Sequence, residues 1–279
     1  MYKENIYLPY LMNIERVTEE APFVKTFRLK FANEEEGKQF TYKTGQFGEW
    51  SVFGEGASTF WIASAPTREG YIECTFRQAG RVTSALASLG EGDQIGFRGP
   101  YGNVFPIEEW YGKSLLFIAG GIALPPMRSV IWNCLDLRDK FKDITILYGA
   151  RAVKDLVYKQ ELEAWKNMPD VNLHLTVDPG GETPEWKGEV GFVPTILDKV
   201  APASKDCIAI VCGPPIMIKF TFPVLEKLGF ADNMVYTTLE NRMKCGIGKC
   251  GRCNTGSVYI CKDGPVFTRE QLKGIPAEY

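Results

Sequence analysis

Along the first hundred residues, apolar and polar positions alternate in short runs. Val24 to Phe31 alternates and leads into a charged turn at Asn33-Glu34-Glu35-Glu36-Gly37. Gly45-Gln46-Phe47 opens a further strand, and Gly70 to Arg77 alternates again. A period of two over such runs predicts half-buried strands. Closely spaced strands with little helix predict a small antiparallel barrel. One helical stretch interrupts it, from Gly80-Arg81-Val82-Thr83 to Gly90. Gly80 permits a phosphate to approach the backbone, and the amides of Val82 and Thr83 would face outward at a helix start, a ready anion site. A plain capped helix reads the same way.

After Gly99-Pro100-Tyr101-Gly102 the pattern changes. Ser114 to Ala119 is a continuous apolar run, as expected of a buried parallel strand. Gly120-Gly121 ends it, and a helix is expected from Pro126 to Arg138. Strands at Ile144 to Tyr148, Val171 to Val177 and Cys207 to Cys212 alternate with helices at Lys154 to Lys166 and Ile216 to Leu228. This is the pattern of an α/β domain with a doubly wound parallel sheet. Ligands of such sheets sit at the carboxyl ends of strands, where Ala119-Gly120-Gly121-Ile122 and Cys212-Gly213-Pro214-Pro215 would form two turns. The fingerprint G-x-G-x-x-G is absent, so both turns can also be read as purely structural.

At 279 residues the chain should form two domains and a small appendage. A net charge of −2 gives no sign of nucleic-acid binding. The most apolar stretch, Ser114 to Met127, is broken by Gly120, Gly121, Pro125 and Pro126 and is too short for membrane insertion. Met1-Tyr2-Lys3-Glu4-Asn5 lacks a basic start followed by an apolar core, so a cytoplasmic chain is expected. The single histidine, His174, alternates onto the face opposite the apolar one and reads as a solvated strand residue. Chemistry built on a histidine base is thereby disfavoured, and a cofactor must carry the reaction.

Four of the eight cysteines, Cys245, Cys250, Cys253 and Cys261, lie within seventeen residues in the spacing C-x4-C-x2-C-x7-C. The first three follow the plant-type iron–sulfur pattern with a more distant fourth ligand. Glycines between them let the backbone wrap closely and aim N–H groups at sulfur. Structural zinc is the main competitor, but it favours two C-x2-C-like pairs set further apart. Disulfides are disfavoured in a reducing compartment. Cys74, Cys134 and Cys207 stand singly among apolar residues and read as buried, inert thiols; Cys212, in its turn, has a more suggestive setting.

Taken in order, these pieces resemble one family, the ferredoxin–NADP reductase-like flavoproteins with a C-terminal [2Fe-2S] cluster. The gamma subunits of soluble NAD(P)-linked hydrogenases (sulfhydrogenases) and the B subunit of anaerobic sulfite reductase are similar in look, with the electron-transfer subunit of dihydroorotate dehydrogenase a cousin. The resemblance spans almost the whole chain. It is sharpest from Leu239-Glu240-Asn241-Arg242-Met243-Lys244-Cys245 through Cys253 and over Tyr259 to Phe267, and it extends to Asn5 and Tyr7-Leu8-Pro9. It implies an FAD-binding barrel with its lead-in (1–107), an NAD-binding domain (108–236) and a small iron–sulfur loop domain (237–279).

By the same resemblance Thr59, Phe60, Trp61, Ile62, Ala63 and Ser64 would line the isoalloxazine, and Gly80, Arg81, Val82 and Thr83 would take the pyrophosphate. Gly120, Gly121, Ile122, Gly213 and Pro214 would place a nicotinamide, with Cys212 close to the hydride path. Arg151 would flank the adenosine half, and the four clustered cysteines would be the metal ligands. Two positions depart from the family. The flavin motif Arg-x-Tyr/Phe-Ser lacks its arginine and has Trp61 where relatives keep serine. The Gly-Gly-Ile-Gly turn ends in Ala123. Asp178, at a strand end, would accept from ribose hydroxyls and repel a 2′-phosphate; with no arginine nearby in sequence, NAD(H) is favoured over NADP(H). The implied function is a diaphorase-type electron-transfer subunit joining NAD(H), FAD and the cluster to a partner subunit with nickel–iron, sirohaem or further iron–sulfur centres. A stand-alone NAD(P)H:ferredoxin reductase, or a docking and relay subunit with a decayed nicotinamide site, are the alternatives.

Overall fold

The computed structural model describes residues 5–276; Met1 to Glu4, on which the reading of the chain start rests, lie outside the described residues. In chain order the first elements are β1 (Tyr10–Ala21), β2 (Val24–Phe31), α1 (Glu34–Gln39), β3 (Phe47–Val52), β4 (Gly56–Trp61), β5 (Ile72–Arg77), α2 (Arg81–Ala87) and β6 (Gln94–Tyr101). The six strands form one sheet in the order β4-β3-β6-β1-β2-β5, every pairing antiparallel. The outer strands also meet. Ala63 N–H, just past β4, donates to Glu73 O of β5 at 2.8 Å, and the Phe60 and Phe76 rings lie 5.9 Å apart. The expected barrel is thus closed around Met12, Ile14, Phe27, Leu29, Trp50 and Phe97.

The segment read as a charged turn after β2 is instead helix α1. The Asn33 side chain accepts from the Glu35 and Glu36 amides, and three glutamates occupy the first turn. That cap and the favourable charge at a helix N-terminus outweigh the turn signal.

The second half contributes β7 (Ser114–Gly120), α3 (Leu124–Asp136), β8 (Ile144–Ala150), α4 (Lys159–Lys166), β9 (Val171–Val177), β10 (Glu189–Val190), α5 (Val193–Val200), β11 (Cys207–Cys212), α6 (Pro215–Lys227) and β12 (Val235–Thr238). The last elements are β13 (Asn254–Thr255), β14 (Val258–Tyr259), α7 (Ile260–Asp263), β15 (Val266–Thr268) and α8 (Arg269–Leu272). The larger sheet runs β10-β9-β8-β7-β11-β12-β15. It is parallel except at β15, which returns antiparallel to β12. A division at 236/237 therefore falls inside β12, and the chain's last strand completes the nucleotide sheet.

Helix α4 starts later than its pattern suggests. Tyr158 stands in the left-handed region at φ 55°, with its N–H donated to Glu20 Oε2 of the barrel at 2.9 Å. A tertiary contact, not local propensity, sets that start. His174 is half-buried rather than solvated, because the β9 face it shares with Asn172 and Thr176 becomes buried toward Thr176. Among the described residues no helix is long and apolar enough to cross a membrane.

Candidate functional site

The chain order reverses at β7, which has β8 on one side and β11 on the other. The crevice outside their carboxyl ends is the topological switch point at which open α/β sheets take ligands. Gly120 and Gly213 face each other there: a Cβ on Gly213 would lie 3.5 Å from Gly120 N. The end of the Met217 side chain packs across both turns: a Cβ on Gly120 would meet its Sδ at 2.4 Å and one on Gly213 its Cε at 2.3 Å. Gly121 adopts φ 57° with open space beside it, and its carbonyl accepts from the buried Tyr148 hydroxyl at 3.1 Å. The neighbouring Ile122 is exposed.

Three segments distant in sequence converge on this crevice. Cys212 ends β11, and its thiol shares a 2.8 Å hydrogen bond with the Thr238 hydroxyl of β12. Burial pushes that thiol up to about 12, so it is a neutral thiol at neutral pH. Glu240 follows β12 and accepts from the Trp61 indole N–H at 2.5 Å. Glu240 is exposed; desolvation pushes its carboxyl pKa up, with the Trp61 hydrogen bond opposing it. Trp61 itself is only 7% exposed; its ring is turned toward Glu240.

The strand carrying Thr59 to Ser64 is held from two sides. From the nucleotide domain, α3 places the buried Arg128 guanidinium 2.9 Å from Ala63 O, and Ser129 Oγ donates to Ser64 O at 2.7 Å. Arg128 also binds Glu73 Oε2 at 2.6 Å and Glu161 at 2.6 Å, and Glu161 accepts from Trp132 Nε1 at 2.7 Å. From the cluster segment, Met243 O accepts from Thr59 Oγ1 at 3.3 Å. Ile62 and Ala63 are buried and Phe60 partly so.

At Gly80 the helix start is as expected, but the Thr83 hydroxyl turns back to accept from the Ala79 and Gly80 amides at 2.9 and 2.8 Å. The amides of Arg81, Val82 and Thr83 are those of a first helical turn, which intrahelical bonding leaves unpaired. The Arg81 guanidinium pairs with Glu55 at 2.6 Å. At the far end of the sheet, β8 and β9 bring Arg151 beside Asp178. The expectation that no arginine stands near Asp178 is overturned: Arg151 acts on its carboxyl and lowers its pKa, against a larger upward push from burial. Residues 27 apart in sequence meet because Ala150 pairs with Val177 in register.

The four clustered thiols stand as two pairs. Cys250 stands beside Cys245, and Cys253 beside Cys261. Backbone N–H groups aim at the sulfurs: Lys249 and Cys250 donate to Cys245 Sγ at 3.3 and 3.4 Å, Gly248 to Cys261 Sγ at 3.1 Å, and Cys261 to Cys253 Sγ at 3.5 Å. Although burial opposes the thiolate, these amides hold Cys245 down at about 7. Gly246, Gly248 and Gly251 all adopt φ between 70 and 74°, the left-handed turns that wrap the loop. Among the described residues no three His, Cys, Asp or Glu side chains surround a single ion position. Two dithiol pairs with amide donors to sulfur fit a two-iron cluster, two thiolates to each iron.

Residues 117–222 match the family model of the oxidoreductase NAD-binding domain. Residues 240–273 match that of the iron–sulfur cluster binding domain of dihydroorotate dehydrogenase B. The chain is 38% identical over 280 residues to the sulfhydrogenase 1 gamma subunit of Pyrococcus furiosus, covering 99% of this chain and 96% of that one. It is 32% identical to a probable dihydroorotate dehydrogenase B (NAD(+)) electron transfer subunit of Methanocaldococcus jannaschii, covering 96% and 92%.

The chain belongs to this family of oxidoreductase electron-transfer subunits. Its fold is also that of the NADH-dependent reduced ferredoxin-NADP oxidoreductase, with a TM-score of 0.75 over 95% of this chain and 89% of that chain at 23% identity. Within this family's frame, four residues carry structural weight that sequence reasoning left unassigned: Glu240, Arg128, Ser129 and Glu49. Glu240 stands in the sharpest stretch of resemblance, but its contact with Trp61 spans 179 positions. Glu49 is wholly buried and accepts from Thr59 Oγ1 at 2.6 Å, with its Oε2 unpartnered. Cys74, Cys134 and Cys207 are buried free thiols, all pushed up by burial.

Proposed function

We propose that the chain passes electrons between NAD(H) and a partner redox subunit by way of FAD and a [2Fe-2S] cluster, acting as the diaphorase-type subunit of a larger oxidoreductase. When bound, the flavin exchanges a hydride with the nicotinamide and single electrons with the cluster, converting two-electron to one-electron transfer. The observation that carries the reading is a convergence. Trp61 of the barrel bonds Glu240 of the terminal segment, Cys212 at the end of the nucleotide strand bonds Thr238 two residues before it, and Cys245 follows Glu240 by five residues.

In this reading Thr59 to Ser64 line the flavin ring, and the first-turn amides at Arg81 to Thr83, behind Gly80, bind its pyrophosphate. Gly120, Gly121, Ile122, Gly213 and Pro214 seat the nicotinamide end. The neutral Cys212 thiol, held by Thr238, packs beside the hydride path as a shape element and not as a nucleophile. Asp178 receives the ribose hydroxyls, and Arg151 beside it flanks the adenosine. Cys245, Cys250, Cys253 and Cys261 hold the cluster. The division into a flavin domain (1–107), a nucleotide domain (108–236) and a cluster domain (237–279) follows these roles, although β12 crosses the second boundary and β15 of the last segment belongs to the nucleotide sheet. The same reading places the chain in the cytoplasm, where thiols stay reduced.

An anaerobic absorbance titration with NADH tests this. Bleaching of a flavin band together with loss of the long-wavelength cluster absorption is the expected result. A coloured protein reduced by dithionite but not by NADH would sink the nicotinamide step. It would leave a relay subunit fed by its partner, a second reading favoured by the Met217 thioether packed across both glycine turns.

A further inference from the structure

We infer, on the reading of the four thiols as cluster ligands, that the face around Cys250 is a docking surface for an acidic one-electron redox protein. Between Glu240 and Asp263 the chain carries five cations, Arg242, Lys244, Lys249, Arg252 and Lys262, and no anion. All five are exposed, and among the described residues none is in an ion pair. The whole chain has 32 Lys and Arg against 34 Asp and Glu, so outside this segment acidic residues exceed basic ones by seven. The positive charge is therefore concentrated where the cluster lies.

An apolar patch adjoins it. Ile6, Tyr7 and Leu8 are 42, 51 and 57% exposed. Ile6 and Leu8 lie over a small cavity shared with Tyr101, and Tyr101 presses on Gly246 so closely that a Cβ there would lie 2.2 Å from its ring. The Lys249 ammonium reaches back to the Tyr7 hydroxyl at 2.8 Å. Lead-in and cluster loop thus form one surface, apolar on one side and cationic on the other. Cys250, the exposed one of the four thiols, lies in that loop.

The charge distribution favours a compact protein partner over an extended polyanion. Beyond about 8 Å charges are screened at physiological salt, so a small acidic protein senses the patch alone. A nucleic acid or an anionic membrane would also meet the net negative remainder of the chain. Apolar area beside the charge gives a protein partner something to bury, and complementary charge speeds its encounter. The stoichiometry is fixed: each NADH oxidised to NAD+ and a proton reduces two partner molecules by one electron each.

The test uses the full-length holoprotein with an acidic plant-type ferredoxin as probe and basic cytochrome c as its opposite. Binding of oxidised ferredoxin is measured by titration calorimetry, which needs no turnover, and NADH-driven reduction of each probe is followed at rising ionic strength. Ferredoxin should bind, and its reduction should fall by about tenfold or more between low and high salt, while cytochrome c is reduced slowly throughout. Arg242→Glu with Arg252→Glu should abolish binding, with iron content and NADH-driven reduction of a small neutral quinone as controls. Leu8→Ser should weaken binding without changing its salt dependence. Salt-independent reduction of ferredoxin, equal binding by the charge-reversed variant, or tighter binding to a duplex oligonucleotide or to phosphatidylserine vesicles would each overturn the proposal. Failure of NADH to reduce the quinone, with ferredoxin still bound, would instead sink the nicotinamide step and leave the docking surface standing.

Discussion

The strand of Thr59 to Ser64 is held toward the nucleotide domain by different physics from that which seats the cysteine loop. Toward the nucleotide domain it meets a buried polar junction: Arg128 joins Ala63 O, Glu73 and Glu161, and Ser129 joins Ser64 O. The loop instead has an apolar seat, where Phe47, Tyr101, Leu239, Ile260 and Phe267 pack with Cys253 and Cys261, and it touches the strand through two hydrogen bonds, Trp61 to Glu240 and Thr59 to Met243 O. Directional bonds between fixed partners set the angle between two domains closely. Apolar contact tolerates small shifts but excludes water. The first suits a junction that would hold a bound flavin and nicotinamide in place for hydride transfer, a step sensitive to ångström displacement. The second suits a cluster, whose sulfurs are better served by backbone donors and a dry surround.

The largest break in this comparison is the loss of a ligand. Cys253→Ser, at a buried thiol, should remove the cluster and take partner reduction to background, while NADH still bleaches the flavin. Iron analysis and the visible spectrum read this directly. If the flavin response vanished as well, the two sides would not be separable as described.

Next comes the polar junction. Arg128→Met takes the shared cation from half-buried Glu161 and from buried Glu73, which keeps Arg28 at 3.0 Å, and should cost about 3 kcal/mol in denaturant unfolding, the low end for a broken buried pair. Replacing Glu73 and Glu161 by glutamine in the same chain should recover part of it. The surviving protein should show slower NADH-to-flavin transfer in stopped flow, with an unchanged cluster spectrum. A rate equal to that of the parent would remove any role for the junction in aligning the rings.

On the apolar side, Gly246→Ala meets both a φ of 74° and the Tyr101 ring. It should cost roughly 1–3 kcal/mol and show as faster loss of iron on mild heating, with flavin retention unaffected. Asp178→Asn should narrow the preference for NADH over NADPH several-fold, read as the ratio of kcat/KM values, since Arg151 stands ready beside it. No change in that ratio would remove Asp178 from nucleotide selection.

The smallest effect is a slope. Burial holds the Glu49 carboxyl above its usual value of 4.5, so the folded chain keeps a proton that the unfolded chain gives up. Stability then falls as pH rises from about 4.5 through the folded-state pKa and levels beyond it. Glu49→Gln should flatten that part of the stability profile.

Strand β9 shows how far the pattern reaches. Val171 to Val177 is the strand its alternation predicts, yet His174 on its polar face is half-buried, because burial depends on what lies opposite. Helix α4 has the predicted composition and end, but its start is set by Glu20 of another domain. The short strands β12 and β15 were not legible, since their pairing joins segments on either side of the cysteine loop. Arg151 and Asp178 could each be picked out as strand-end residues, but not as neighbours.

What the sequence determined by itself was local or covalent: hydrophobic period, the glycines of the turns, and a cysteine spacing that keeps four thiols within reach of one another. Only the tertiary structure decided which distant groups share a space. It set Trp61 on Glu240, Arg128 on the Ala63 carbonyl, Arg151 beside Asp178 and the lead-in against the cysteine loop. The physical reason is that these contacts join separate elements, and their partners are chosen by how barrel, sheet and loop pack, which no local pattern encodes.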